Sequence, residues 1–138
     1  MSYAGDDAFE ASLFQYAIEQ LLGKLMVTVW TYHRDQSKSE RKIGKSLKDR
    51  VRESEAAVFL LSPSTFSGGA TQWMELAYAD AFDVPAYILL HRMTFAEMKE
   101  RDKVPPLVLE RQCNPSSEWK SVVDAIRVQL EANSAAKT

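Results

Sequence analysis

An unbroken apolar run, Ala56 to Leu61, constrains the fold of this chain more than any other stretch. A run of this length, closed by turn residues such as Ser62-Pro63, is typical of a parallel strand buried on both faces. Gly68-Gly69 then indicates a mobile connection, and a helix carrying Glu75 in its first turns is predicted to follow. The sequence therefore predicts a strand, a loop and a carboxylate near the carboxyl end of a sheet.

Other segments extend this alternation of strands and helices. Composition predicts the end of a strand at 1–4 and further strands at 26–32, 84–90 and 107–111. Apolar residues at helical spacing predict the intervening helices. These residues are Phe9, Leu13, Tyr16, Ala17, Gln20 and Leu21 on one face of the first helix; Ile43, Leu47 and Val51; Phe95 and Met98; and Trp119, Val122, Val123, Ile126 and Leu130. Capping residues that mark helix starts are Asp6 or Asp7, Ser37 with Glu40, Thr94 with Glu97, and Ser116 or Ser117.

This order of elements implies right-handed βαβ units and a parallel sheet covered on both faces. We expect a flavodoxin-like α/β sandwich of three layers, with five strands in the order 2-1-3-4-5. In that order the loops 4–7 and 62–70 meet, and Glu75 lies beside the crevice between them. One domain over 1–131 accounts for these elements, and 132–138 is predicted to be a polar tail or the start of a linker.

Composition and charge narrow the classes of function. The net charge of −2 gives no reason to expect nucleic acid or an anionic membrane as a partner. The chain has one cysteine, Cys113, no apolar run near the ~20 residues of a membrane span, and no signal-peptide pattern. We therefore expect a cytoplasmic protein. His33 and His91 have no partner at a metal-ligand spacing and are interpreted as surface or loop residues, so no metal site is predicted.

Three short motifs occur in order between residues 2 and 76. Residues 2–7 read SYAGDD, residues 43–47 read IGKSL ahead of the central strand, and Trp73 precedes Glu75-Leu76. In this order they resemble the boxes of the Toll/interleukin-1 receptor (TIR) domain family. Glu75 follows Trp73 by two residues, where the family usually places four, so alignment on Glu-Leu implies a shortened helix start.

The resemblance implies an enzyme or an adaptor, because the family contains both. Its enzymes, many of them bacterial, take NAD+ as a substrate, use no cofactor, and release nicotinamide with ADP-ribose or cyclic ADP-ribose. The catalytic glutamate of those enzymes corresponds to Glu75. The resemblance also implies activation by TIR–TIR self-association. It further suggests the effector domain of a bacterial immune protein, with a sensor domain or protein beyond the C-terminus.

A carboxylate suits this chemistry because positive charge develops on the ribose ring as its bond to nicotinamide breaks. An anion fixed beside that ring binds the transition state better than the substrate. We expect Glu75 to be ionised, favoured by roughly 0.3–1 kcal/mol at a helix N-terminus. The alternative interpretation of Glu75 is a solvent-facing residue of the first helical turns.

Further candidates for substrate binding lie at predicted strand ends, in loops and at the start of the Glu75 helix: Ser2, Tyr3, Asp6, Trp30, Arg34, Ser62 and Trp73. Most have an ordinary structural alternative. Tyr3 also suits the core and Asp6 a helix cap, whereas Trp73 suits packing as well as a platform for the substrate. Trp30 equally suits a strand wall. Arg34 suits a pyrophosphate or a solvated surface position.

Two other functions stay open at this point. In a non-enzymatic interaction module, the charged loop 33–42 and the Glu75 helix would be docking surfaces, and charge reversal at Arg41 and Lys42 would abolish assembly. In a second alternative, residues 75–79 ahead of Val84-Pro85 resemble part of the nucleoside deoxyribosyltransferase family, which also breaks a glycosidic bond at a carboxylate. Comparison of deoxynucleosides with NAD+ as substrates separates this family from the first.

Overall fold

Four parallel strands form the centre of the molecule. The computed structural model describes residues 1–25, 27, 29, 43–68, 70–101, 104–111 and 113–136. Within these ranges the sheet has the order β1-β2-β3-β4, and its strands are β1 (Ser2–Tyr3), β2 (Ala57–Leu61), β3 (Ala86–Leu90) and β4 (Cys113–Pro115). The longest register joins β2 to β3, from Ala57 opposite Ala86 to Leu61 opposite Leu90. The apolar run at 56–61 is thus confirmed as a central strand.

Helices connect these strands, as the parallel pairing requires. They are α1 (Ala8–Leu21), α2 (Ile43–Glu53), α3 (Pro63–Gly68), α4 (Ala70–Ala81), α5 (Phe95–Lys99), α6 (Pro106–Leu109) and α7 (Trp119–Ala136). Short 3-10 turns lie at Gly5–Asp7, Gly23–Leu25 and Ser116–Glu118. The capping box at Thr94 is confirmed, because its hydroxyl accepts a hydrogen bond from the Glu97 backbone N–H at 3.1 Å.

Successive side chains of β2 point to opposite faces of the sheet and supply two separate cores. Phe59 and Leu61 pack with the side of the sheet that α2, α4, α5 and α6 cover. Val58 and Leu60 pack with α1 and α7 on the other side. Each such side chain, fully buried, contributes roughly 1.5–3 kcal/mol of hydrophobic stabilisation. The α/β class and the parallel sheet between helices are therefore confirmed.

Two of the predicted segments differ in the structure. The segment 107–111, predicted as a strand, contains most of helix α6, because Pro106 occupies its first turn, where proline is favoured. The last strand is instead β4. The connection 62–70, predicted as a mobile loop, contains helix α3. Most of the predicted strand 26–32, and Ser37 with Glu40, lie outside the described residues, so four strands are found rather than five.

Helix α1 buries a different face from the one marked by its apolar spacing. Phe9, Leu13 and Tyr16 are 71%, 57% and 67% exposed. The buried face instead carries Ala11, Gln15, Ile18 and, just beyond the helix, Leu22. Gln15 is accommodated there because its side chain donates a 2.7 Å hydrogen bond to the Val29 carbonyl. The small Ala11 lets the helix approach the sheet closely.

The C-terminal helix follows its predicted pattern and extends beyond it. Val122, Val123 and Ile126 are buried against the sheet, as their spacing predicts. Residues 132–136, predicted as part of a polar tail, continue α7 with exposed side chains where these are described. In the described part of the chain, every helix is too short or too polar to cross a membrane.

Candidate functional site

Glu75 connects helix α4 to the edge strand of the sheet. It is the sixth residue of α4, and its Oε1 accepts a hydrogen bond from Ser2 Oγ at 3.0 Å. Ser2 is itself buried and lies opposite Phe59 in the β1–β2 register. The carboxyl group is therefore held against the edge strand β1 rather than at the start of the helix.

The environment of Glu75 favours the neutral form of its carboxyl group. Burial raises the pKa of Glu75 from 4.5 to about 7, against the opposing effects of the amino-terminal ammonium group and the Ser2 hydrogen bond. The expected stabilisation of the anion by the helix N-terminus does not dominate, because that effect falls off beyond the first turn. Near neutral pH the protonated and ionised forms are both populated, whereas the sequence predicted an ionised group.

A cavity of about 550 Å³ lies beside this carboxyl group. Its lining residues come from the start of the chain, the C-terminal halves of α1, α2 and α7, the beginning of β2, and α4. They include Met1, Ser2, Ile18, Leu22, Leu25, Val27, Val29, Arg50, Val51, Glu53, Ser54, Glu55, Val58, Phe59, Glu75, Ile126, Leu130 and Ser134. The volume is within the range of small-ligand sites, and the walls combine aliphatic residues with charged ones such as Arg50, Glu53 and Glu55.

The cavity lies at the opposite end of the strands from the predicted crevice. None of the described residues of 4–7 or 62–70 lines it. The loops 4–7 and 62–70 do meet at the carboxyl ends of β1 and β2, where Ser62 Oγ donates a hydrogen bond to Asp7 Oδ2. Glu75 lies halfway along α4, which returns from that end, so its side chain reaches Ser2. The expectation that Glu75 stands beside the crevice between these loops is therefore wrong.

The other predicted site residues divide between the cavity and the core. Ser2 lines the cavity with Glu75. Tyr3, next along the same strand, is partly buried and packs against the core that α1 and α7 cover. Ser62 is buried, and its backbone N–H also donates to Thr65 Oγ1 at 3.1 Å. The structure therefore brings Ser2 to Glu75 and leaves Tyr3 and Ser62 in structural contacts.

Trp73 and Asp6 lie away from the cavity. Trp73 packs edge to face on Phe66, with ring centroids 5.6 Å apart, and borders the core on the α4 side of the sheet. Asp6 is exposed, whereas its neighbour Asp7 is buried and bonded to Ser62. Asp7 occupies the N-cap position of α1 but makes no side-chain capping bond there. Trp30 and Arg34 lie outside the described residues.

Two polar groupings at the carboxyl ends of the strands were not anticipated as units. Asp7 and Ser62 form one of them. The other joins His91, which follows β3, to Ser116, which follows β4, with His91 Nδ1 and Ser116 Oγ 3.0 Å apart. Ser62, His91 and Ser116 directly follow β2, β3 and β4, and a polar residue at the end of each strand is the signal that could have identified them, since parallel strands place these residues at one edge. Asp7 lies four residues beyond the end of β1 and has no such signal.

Comparison with known proteins identified no relative of this chain. No family model, no curated protein and no solved structure matches this chain. The TIR resemblance rests on the three motifs alone and stays a prediction. Among the residues that the structure describes, no group of three or more histidine, cysteine, aspartate or glutamate side chains is placed to hold a metal ion.

Proposed function

We propose that this chain cleaves the N-glycosidic bond of NAD+ with Glu75 as the catalytic carboxylate. The observation that carries the proposal is a partly buried carboxyl group, whose pKa desolvation raises to about 7, at the wall of a cavity of about 550 Å³. Perturbed acids in cavities of this size are characteristic of functional sites. The resemblance to NAD-cleaving TIR domains supplies the substrate class.

The cavity walls support the role of this carboxylate. Ile18, Leu22 and Val58 supply aliphatic parts of the cavity wall, and electrostatic interactions are stronger next to apolar walls than in open water. The positive charge of the nicotinamide ring favours the ionised form of Glu75 when the substrate binds. The Ser2 hydroxyl holds Oε1, and we assign Oε2 to the contact with the ribose.

In the reaction, the bond between C1′ of the ribose and the ring nitrogen of nicotinamide breaks, and its electron pair neutralises the ring. The Glu75 carboxylate stabilises the positive charge that develops on the ribose. Water then forms a bond to C1′, and its proton passes to the carboxylate. Hydrolysis gives ADP-ribose, and attack by a group of the same molecule gives a cyclic product.

The proposal also includes a fifth strand beside β1. This strand would give the sheet the flavodoxin-like order 2-1-3-4-5. Val27 and Val29 pack against the same core as Tyr3 of β1, and β1 is the edge strand among the described residues. Both observations support a strand at that edge. The TIR resemblance alone supports three further parts of the proposal. They are activation by self-assembly, a cytoplasmic location and a role in bacterial defence with a sensor module.

Nicotinamide release from NAD+ tests the proposal, with concentrated protein so that self-association does not limit the rate. Glu75→Gln preserves the shape of the side chain and the acceptor for Ser2. We expect it to reduce release by about 10²–10³-fold, the usual loss for one group that stabilises a transition state. The exposed Glu110 provides the matched control, and Glu110→Gln should retain the full rate. Equal release by both variants would exclude the role of Glu75, and deoxynucleosides in parallel test the transferase alternative.

One observation favours a second function, that of a non-enzymatic module that associates with copies of itself. Phe9, Leu13 and Tyr16 form an exposed apolar stripe along α1, and such stripes commonly mark interaction surfaces. On this view Leu13→Asp abolishes association, measured by analytical ultracentrifugation, and the wild-type chain releases no nicotinamide. Association that survives the substitution, or NAD+ cleavage by the wild type, contradicts it. The charged loop 33–42 lies outside the described residues.

A further inference from the structure

Buried aliphatic side chains form one part of the wall of the Glu75 cavity. Ile18, Leu22 and Ile126 line it, and each is at most 5% exposed. Val58 of β2 lines it as well. At about 550 Å³ the cavity has room for a small ligand, and these walls suit a ligand with an apolar body.

Charged groups form another part of the wall. Arg50 and Glu53 of α2, and Glu55 before β2, are exposed residues that line the cavity. Glu75 is partly buried, and the amino-terminal ammonium group, carried by Met1, acts on it electrostatically. The described lining thus holds three carboxyl groups and two cationic groups.

The net charge of this lining depends on Glu75. When Glu75 is protonated, the carboxylates of Glu53 and Glu55 balance the two cationic groups. When Glu75 is ionised, one negative charge is left over. Because Glu75 is partly buried, salt screens its charge less than it screens a charge on the open surface. A ligand with a single positive charge therefore complements the ionised cavity.

The Glu75 carboxylate has hydrogen-bonding capacity for such a ligand. Among the described residues, Ser2 provides the one hydrogen bond to it, from Oγ to Oε1 at 3.0 Å. A carboxylate accepts several hydrogen bonds, and a bond between charged partners is about twice as strong as one between neutral groups.

We propose that the Glu75 cavity binds a monovalent organic cation with an apolar body. The positive group lies beside Glu75, and the apolar body lies against Ile18, Leu22 and Ile126. This ligand class deepens the proposed function and rests on it for the location of the site. Of a dinucleotide, only a cationic end fits this description, and the phosphate groups stay outside.

Binding of the cation is coupled to ionisation of Glu75. Burial raises the pKa of Glu75 to about 7, so the carboxyl is partly protonated at neutral pH. A cation beside it favours the charged form, and the proton passes to the solvent as the ligand binds. By reciprocity, the bound cation lowers the pKa of Glu75.

The other charged groups that share the cavity with Glu75 are Arg50 and Glu53 on α2, Glu55 before β2 and the amino terminus ahead of β1. Of these, the amino terminus is the group that titrates near neutral pH in ordinary peptides, at about 7.7–8.0. Glu75→Gln retains it, so this variant isolates the contribution of the Glu75 carboxyl.

Other classes of ligand fit this lining less well. A neutral apolar ligand leaves the charge of ionised Glu75 without a partner, and an anion meets an excess of carboxyl groups. A metal ion is disfavoured because no group of three or more histidine, cysteine, aspartate or glutamate side chains is placed to hold one in the described ranges.

The test titrates the full, ¹³C-labelled chain with benzylammonium, benzyl alcohol and benzoate at pH 6 and pH 8. The ammonium and the alcohol share a shape and differ in charge. Methyl signals of Ile18 and Leu22 report occupation of the cavity, and the side-chain ¹³C shift of Glu75 reports its ionisation.

At pH 8 we expect saturable methyl shifts, with benzylammonium bound about tenfold more tightly than benzyl alcohol and benzoate bound most weakly. At pH 6 the affinity for benzylammonium should fall about tenfold, because only the ionised fraction of Glu75 binds it. The affinity for benzyl alcohol should not fall.

Two substitutions change the charge of the lining in opposite directions. Glu75→Gln should remove the preference for benzylammonium over benzyl alcohol. Arg50→Gln removes a positive charge and should tighten benzylammonium binding about two- to fivefold, a gain that a folding defect does not produce. Glu110→Gln, exposed and outside the lining, should bind like wild type.

Equal affinity for benzylammonium and benzyl alcohol, tighter binding of benzoate, or absence of saturable methyl shifts would overturn the proposal. Cation binding by a protein that releases no nicotinamide from NAD+ would support this proposal and contradict the proposed function. Glu75-dependent cleavage of NAD+ without a preference for cations would do the reverse.

Discussion

Ser2 and Glu75 are 73 residues apart in the chain and are joined by a 3.0 Å hydrogen bond from Ser2 Oγ to Glu75 Oε1. This bond holds the carboxyl group, which helix α4 carries, against the edge strand β1. It also places the group at the cavity near the amino ends of the strands. The raised pKa of Glu75 and its proposed reactivity both follow from this position.

The first prediction concerns stability as a function of pH. The Glu75 carboxyl ionises near 4.5 in an ordinary environment and near 7 in the folded chain. Between these values the folded state holds the proton more tightly, so the stability that the proton confers is full below pH 4.5 and is lost as the pH rises through 7. The shift corresponds to on the order of 3 kcal/mol.

Urea unfolding of wild type and Glu75→Gln from pH 4 to pH 8 measures this effect. The difference in unfolding free energy should grow in favour of the variant as pH rises, because glutamine has no proton to lose. Glu110→Gln, at an exposed position, serves as the control and should show a constant difference. A constant difference for Glu75→Gln would show that burial does not shift its pKa.

The second prediction concerns the hydrogen bond from Ser2. Because this bond lowers the pKa of Glu75, Ser2→Ala should raise that pKa further. The side-chain ¹³C shift of Glu75, followed through a pH titration, reports the change directly. A pKa that stays the same or falls in Ser2→Ala would mean that the hydroxyl does not stabilise the anion.

The third prediction compares two adjacent aspartates. Asp7 is 1% exposed and accepts the hydroxyl of Ser62, so Asp7→Ala leaves a buried donor unpaired and should lower the unfolding free energy by about 1–3 kcal/mol. Asp6 is exposed, and Asp6→Ala should change the unfolding free energy by less than about 0.5 kcal/mol. Chemical denaturation at pH 7 distinguishes the two, and equal losses would contradict the assignment of Asp7.

The fourth prediction tests which face of α1 is buried. Leu13 is 57% exposed and Ile18 is 4% exposed. Leu13→Ser should therefore alter the unfolding free energy by less than about 0.5 kcal/mol, whereas Ile18→Ala should cost about 2–5 kcal/mol. Thermal unfolding of both variants provides the measurement. The reverse order of losses would mean that the face marked by apolar spacing is the buried one.

The sequence predicted the parts of the fold that depend on local pattern. The apolar runs of β2 and β3, the Thr94 capping box and the buried face of α7 carry unambiguous local signals. The prediction of the buried face of helix α1 was wrong because the helix carries two stripes of side chains, either of which could face the sheet. Only the approach of Gln15 to Val29 and of Ala11 to the sheet decides between them.

The candidate site was predicted in part for the same reason. Glu75 and Ser2 were both named from the sequence, but their contact and the side of the sheet on which the cavity lies depend on how α4 packs against β1. The raised pKa of Glu75 depends on burial, which no spacing of residues encodes. His91 was interpreted as a surface residue because its partner, Ser116, comes close to it only through the β3–β4 pairing.

The central claim is that the Glu75 carboxylate cleaves NAD+, and the pH dependence of nicotinamide release tests it most directly. For wild type, kcat/KM should rise through an apparent pKa near 7 to a plateau, because this parameter reports ionisation of the free enzyme. Glu75→Gln should be about 10²–10³-fold slower and should lose that pH dependence. Release by Glu75→Gln at the wild-type rate, or no release by concentrated wild-type protein at any pH, would contradict the account.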